Sequence, residues 1–191
     1  MKMRSAKFLA AIDAYNNDRL EVATQLIREC ADSGDPVACL TLARWSRDGE
    51  AIPHIDGEVA RWSSELRKLA DAGDAEAQWE LGQSYRFGDL MPMDVEEANR
   101  WLWRAATSGN ADAQHHLAWY LEHGEYGISV DREMAEGWYK RAFDSGHEET
   151  VYLFAIRLLH SGKTGEAIQL LERAAQGGLK QAAEVLVSLR E

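Results

Sequence analysis

A glycine returns at Gly34, Gly73, Gly109, Gly146 and Gly178 with the same company each time. Four residues on stands a small residue (Ala38, Ala77, Ala113, Thr150, Ala182), and eight on a large apolar one (Leu42, Leu81, Leu117, Phe154, Leu186). The interval runs from 178 − 146 = 32 to 73 − 34 = 39 residues, which is the period of a two-helix repeat. No such unit can bury its apolar face alone, so the units must stack on one another.

Counted from each glycine, offsets +4, +8, +9 and +12 fall on one stripe of a helix that begins just after it. In one unit these are Ala77, Leu81, Gly82 and Tyr85, and in the next Ala113, Leu117, Ala118 and Leu121. Small residues at +4 and +9 let a neighbouring helix approach, while the large residue at +8 fills the remaining gap. A second glycine at +15 (Gly49, Gly88, Gly124) predicts the helix end, because glycine accepts the left-handed conformation that closes a last turn.

A loop follows, with Pro53 in one unit, Pro92 in another and Val130-Asp131 in a third. Acidic residues such as Asp94, Glu96 and Glu97 then open a second helix, where they oppose the positive end of its dipole. Before the next glycine, offsets −11, −8, −7, −4 and −3 repeat as Ala98, Trp101, Leu102, Ala105 and Ala106, and again as Ala135, Trp138, Tyr139, Ala142 and Phe143. In the first unit Trp62 and Glu65 break this pattern, which predicts a shifted or bent helix there.

The whole predicts an all-α solenoid of about five helical hairpins and a C-terminal capping helix, in one domain spanning 1–191. Its parts are an N-terminal hairpin (1–33), repeats at 34–72, 73–108, 109–145 and 146–177, and a cap at 178–191. The N-terminal hairpin reads as helices over Ser5 to Tyr15 and Leu20 to Ala31, and the cap as one over Lys180 to Leu189.

The segments Gly73 to Gly82 and Ala98 to Ala106 closely resemble the Sel-one-like repeat (SLR) family, relatives of the tetratricopeptide repeat. Gly109 to Phe143 matches as well, including Trp138-Tyr139-Lys140-Arg141-Ala142. The resemblance implies a right-handed α/α superhelical solenoid used as an adaptor or scaffold that binds partners in a concave face or along a rim. It brings no catalytic residues, because the repeated positions are packing positions. The cysteine in every repeat that marks family members described as handling β-lactams is missing, so that activity is not implied.

Charge narrows the partner. Asp and Glu number 32 against 21 Lys and Arg, a formal net charge of −11. An acidic surface repels phosphate backbones, which argues against nucleic acid and for a protein partner, a basic protein or a toxin included. The apolar run Phe8 to Ile12 is shorter than the roughly 7 to 15 residues of a secretory signal, and no segment reaches the 18 or so of a membrane span. The expectation is a soluble cytoplasmic protein that does not engage membranes. Cys30 and Cys39, the only cysteines, are too few for a disulfide framework and read as buried free thiols.

Candidate contacts for a partner lie at offsets +6, +10 and +13, opposite the core stripe. They include Arg44 and Arg47; Trp79, Gln83 and Arg86; His115, Trp119 and Glu122; and Tyr152 and Ile156. Aromatic and arginine residues are the usual hot spots of protein interfaces. For Trp79 and Tyr152 packing between helices is the stronger reading; Trp119, Arg44, Arg86 and Gln83 suit the surface equally well.

Other motifs fall away. His115, His116 and His123 lack the i, i+4 spacing of a helical zinc pair, so no metal and no cofactor is expected. Gly162-Lys163-Thr164 imitates the end of a phosphate loop, but Arg157 stands where its first glycine belongs. Neither a nucleophile elbow nor another catalytic set is found, so the chain reads as a non-enzyme. Two functions remain: an interaction scaffold holding a protein in its groove, or a dedicated inhibitor, such as an immunity protein that plugs a basic bacterial toxin by charge complementarity.

Overall fold

The computed structural model describes residues 5–48, 57–160 and 162–189, which form eleven α-helices and no strand. Gly49, Pro53, Ser161 and the loop between Glu50 and Asp56 lie outside the described residues. The helices are α1 (Ala6–Asn16), α2 (Leu20–Asp32), α3 (Pro36–Asp48), α4 (Glu58–Asp71), α5 (Ala75–Phe87) and α6 (Val95–Thr107). They continue with α7 (Ala111–His123), α8 (Arg132–Asp144), α9 (Glu148–His160), α10 (Thr164–Gln176) and α11 (Lys180–Ser188).

The glycine frame sets every boundary between hairpins. α2, α4, α6, α8 and α10 each end two residues before a repeat glycine, and the next helix starts two residues after it. The five glycines have φ between +80° and +103°, a region that side chains with a Cβ enter only under strain. One residue further on, the backbone N–H donates to the carbonyl four residues before the glycine: Asp35 to Cys30, Asp74 to Leu69, Asn110 to Ala105, His147 to Ala142 and Leu179 to Ala174, at 2.9 to 3.2 Å. These bonds satisfy carbonyls that a helix end leaves orphaned.

That same +1 residue starts the next helix. Asp35 Oδ1 accepts the Val37 and Ala38 amides at 3.0 Å, Asp74 Oδ1 those of Glu76 and Ala77 at 3.0 and 2.9 Å, and Asn110 Oδ1 that of Ala113 at 2.8 Å. Each is an N-cap of a type that stabilises a helix by about 1 kcal/mol. Asp94 and Asp131 cap the second helices α6 and α8 in the same way.

α4 departs from expectation by staying in register. It ends two residues before Gly73 like its counterparts, and Trp62, Leu66 and Ala70 fill the buried stripe at −11, −7 and −3. Trp62 takes the place of a small residue without displacing the helix, and Glu65 at −8 is half-buried.

Neighbouring Cα atoms gather the chain into two compact units, residues 2–113 and 114–191. In the first, α1 through α6 pack consecutively, and α3 also meets α5, the stacking of hairpin on hairpin that defines an α-solenoid. Its core runs from Phe8 and Ala11 through Ile27, Leu42, Trp62 and Leu81 to Trp101. Cys30 and Cys39 are buried there as free thiols, and burial pushes the Cys39 thiol up to about 12. In the second unit α10 packs against both α9 and α11, with Val151, Ala155, Leu171, Ala174, Ala182 and Leu186 in the shared core. No helix of the described residues is long and apolar enough to cross a membrane.

Candidate functional site

The offsets singled out from sequence fare unequally once side chains are placed. Arg44 and Arg47 are exposed but already engaged: Arg44 Nε donates to Asp89 Oδ2 at 2.5 Å, and Arg47 donates to the Asp89 carboxylate and main-chain oxygen. Asp89 sits just past Gly88 at the end of α5, so the two arginines of α3 clamp the turn of the following hairpin. Arg86 is only 6 % exposed, its guanidinium inside α5's packing rather than offered to a partner. Trp79 and Gln83 are half-buried on the same helix.

In the second unit four candidates come together. His115, Trp119 and Glu122 from α7 and Tyr152 from α9 border one cavity of about 450 Å³. Tyr139 of α8 closes it, Leu153 and Arg157 extend the α9 wall, and Leu179 and Gln181 contribute from the start of α11. Ile156 is half-buried and does not border the cavity; its neighbour Arg157 does. The reason is periodic: residues 115, 119 and 122 recur at the i, i+4, i+7 spacing of one helix face, and 149, 152, 153 and 157 on α9 at i, i+3, i+4, i+8.

The walls are aromatic with charged corners. Tyr139 Oη donates to Glu122 Oε2 at 2.9 Å. Burial, reinforced by the Glu122 carboxylate, holds the Tyr139 hydroxyl well above the ordinary phenol value, so it remains a donor throughout the physiological range. The Arg157 guanidinium lies 5.9 Å from the Tyr139 ring centroid. Trp119 stacks on His123 with centroids 4.6 Å apart, and His123 Nδ1–H donates to the Trp119 carbonyl at 2.9 Å, which fixes the indole against its own helix. An opening of this kind suits an inserted side chain that stacks on indole and meets a carboxylate.

Beside the cavity lies a group that the sequence pattern concealed. His115 is 8 % exposed and stacks on His147, centroids 4.3 Å apart and 16° between the planes. Both Nδ1 atoms point at one hydroxyl, Thr150 Oγ1, at 2.8 Å from His115 and 3.1 Å from His147. His115 Nε2 lies 3.4 Å from Glu149 Oε2. His116 meets His115 edge-on, and His123 stays with Trp119, so the three histidines noticed in sequence do not form one centre. The missed partners were legible as departures from the repeat: His147 stands where three other units carry Asp35, Asp74 or Asn110 and the last carries Leu179, and Thr150 stands where all four carry alanine.

Comparison with known proteins agrees with this architecture. A family described as "Sel1 repeat" matches residues 75–110, 111–147 and 164–179. A Sel1 repeat protein from Oxalobacter formigenes of known crystal structure is 32 % identical over 65 % of this chain and 96 % of its own, with a TM-score of 0.58. A protective antigen present in uropathogenic Escherichia coli strains, with an SLR fold, is 23 % identical over 96 % of this chain and 40 % of its own, at a TM-score of 0.58; that likeness concerns the fold alone. A curated relative from Rhizobium leguminosarum bv. viciae, named "Exopolysaccharide production negative regulator", is 26 % identical over 178 residues, 87 % of this chain. The chain spans about two thirds (66 %) of that relative's length.

Proposed function

Because this chain belongs to the Sel1 repeat family, whose members generally mediate protein–protein interaction, we propose that it is a non-enzymatic scaffold that holds a protein partner through the cavity of residues 114–191. The observation that carries this reading is the convergence of Trp119, Tyr152, Glu122 and Arg157 on one opening. Large aromatics and arginine around a pocket are what an interface uses to anchor a partner's side chain. The acidity of the chain, −11 in net charge, favours a partner with a basic surface, whose Lys or Arg would lie against Trp119 and Glu122.

A regulatory role follows from binding alone. A scaffold that withholds a component lowers an output without chemistry, and the relative named as a negative regulator makes control of polysaccharide production the process to examine first. Trp79 and Gln83, half-buried on α5, are separate candidate contacts within the unit of residues 2–113. The alternative, a dedicated inhibitor of a basic bacterial toxin, would act through the same acidic surface by charge complementarity.

The test is capture from native lysate with wild type and with a Trp119→Ala, Arg157→Glu double variant, quantified by mass spectrometry. A protein retained by wild type, lost from the variant, and bound again at micromolar or tighter affinity when purified supports the assignment. Equal retention by both, with circular dichroism unchanged, sinks it.

A further inference from the structure

We propose that His115, His147 and Glu149 bind a divalent first-row transition ion beside the cavity. Each offers one ligand atom, and these atoms all lie within 4.8 Å of one another. The His115 Nε2 to Glu149 Oε2 separation is 3.4 Å. Two ligands bound about 2.0–2.1 Å from a tetrahedral zinc ion lie about 3.3 Å apart, so one edge of the coordination shell is already set. Completing it requires the remaining ligand to close by roughly 1.5 Å. Glu149 has a side chain 65 % exposed, and His147 is half-buried, so both can make that movement without opening the core.

Thr150 supplies what ligating histidines need behind them. A hydroxyl oxygen has two lone pairs, and Thr150 Oγ1 faces Nδ1 of both imidazoles at 2.8 and 3.1 Å. With both Nδ1–H groups donating to it, each Nε2 is left with its lone pair, and the rings are held in orientation, as an outer-shell partner does at metal sites. In its other tautomer His147 accepts the Thr150 amide at 3.3 Å as a cap of α9. The ion therefore exchanges a long capping bond for a coordinate one.

Packing gives no reason for these residues. The other four repeats meet the +4 position with alanine, and the capping role of His147 is filled by Asp or Asn in three of them, with Leu179 in the fourth. Instead a threonine with no exposure stands between two imidazoles, with a carboxylate at their edge. Two imidazoles and one carboxylate form the donor set of open zinc sites, which leave a fourth position for water or another ligand. His115 and Glu149 also border the cavity, so that position is within reach of whatever enters it. Metal binding does not depend on the partner reading.

Zinc alone is the probe, titrated calorimetrically into the tag-free full chain, with cobalt as its spectroscopic substitute. One zinc per chain is expected, with tetrahedral cobalt absorption bands. Glu149→Gln and His147→Gln should each weaken binding at least about tenfold. Glu148→Gln and His123→Gln, adjacent but outside the trio, should leave it unchanged. Zinc should raise the melting temperature of wild type and not of Glu149→Gln, a surface change that keeps the test valid if His147→Gln folds poorly. No zinc uptake by wild type, or equal affinity across all four variants, overturns the proposal.

Discussion

Asp89 shows how one carboxylate can close a turn. Burial raises its pKa, but hydrogen bonds from Arg47 and Arg44 outweigh that and leave it below the ordinary aspartate value. A group depressed in the folded state stabilises above its unfolded pKa, about 3.9, and loses that contribution as pH falls through the folded value. Urea unfolding of wild type should therefore weaken below about pH 4, whereas Asp89→Asn should show a shallower acid limb. At pH 7 the substitution should cost on the order of 1 kcal/mol, since Arg44 and Arg47 are exposed and the solvent around them screens their attraction to Asp89. The helical period places both arginines on the exposed face of α3, but it carries no trace of Asp89, 42 residues from Arg47. A helical period tells which way a side chain points; it does not tell what another hairpin brings to meet it.

Helix α5 lies against α6 through a residue that has no side chain. A Cβ built at Gly82 would stand 3.3 Å from Trp101 Cβ and 3.4 Å from the Ala98 carbonyl oxygen. Gly82→Val should destabilise by about 1–3 kcal/mol, the usual cost of overpacking, read as a lower urea midpoint with unchanged slope. This tight approach was foreseeable, because offset +9 is small in every full unit, as Ala43, Ala118 and Ala155 confirm by complete burial. Helix ends were legible for the same reason: glycines and acidic caps act locally, and local signals survive in a single sequence. The register of α4 was not, since Trp62 in a small residue's place suggested distortion, and only the packed core shows that its indole fits. His147 and Glu149 were missed because the frame draws attention to what recurs, whereas the site is made of what does not.

For the molecule as a whole, the excess of acidic over basic residues, 32 against 21, is a long-range property. If the partner is basic, its association rate should fall steeply as sodium chloride rises from low to physiological strength, while dissociation changes little; stopped-flow mixing would show this. Rates indifferent to salt would point to a neutral partner anchored by the aromatics alone.

Every junction between hairpins has the same length, a left-handed glycine with one residue on either side of it, and the differences in repeat length fall inside the hairpins. Length thus varies between the repeats of this chain at the tips of the hairpins and not at the joints. Anyone wishing to splice in a label or a new recognition loop would do best to copy that habit, inserting near Gly127 and leaving the joints at Gly109 and Gly146 untouched.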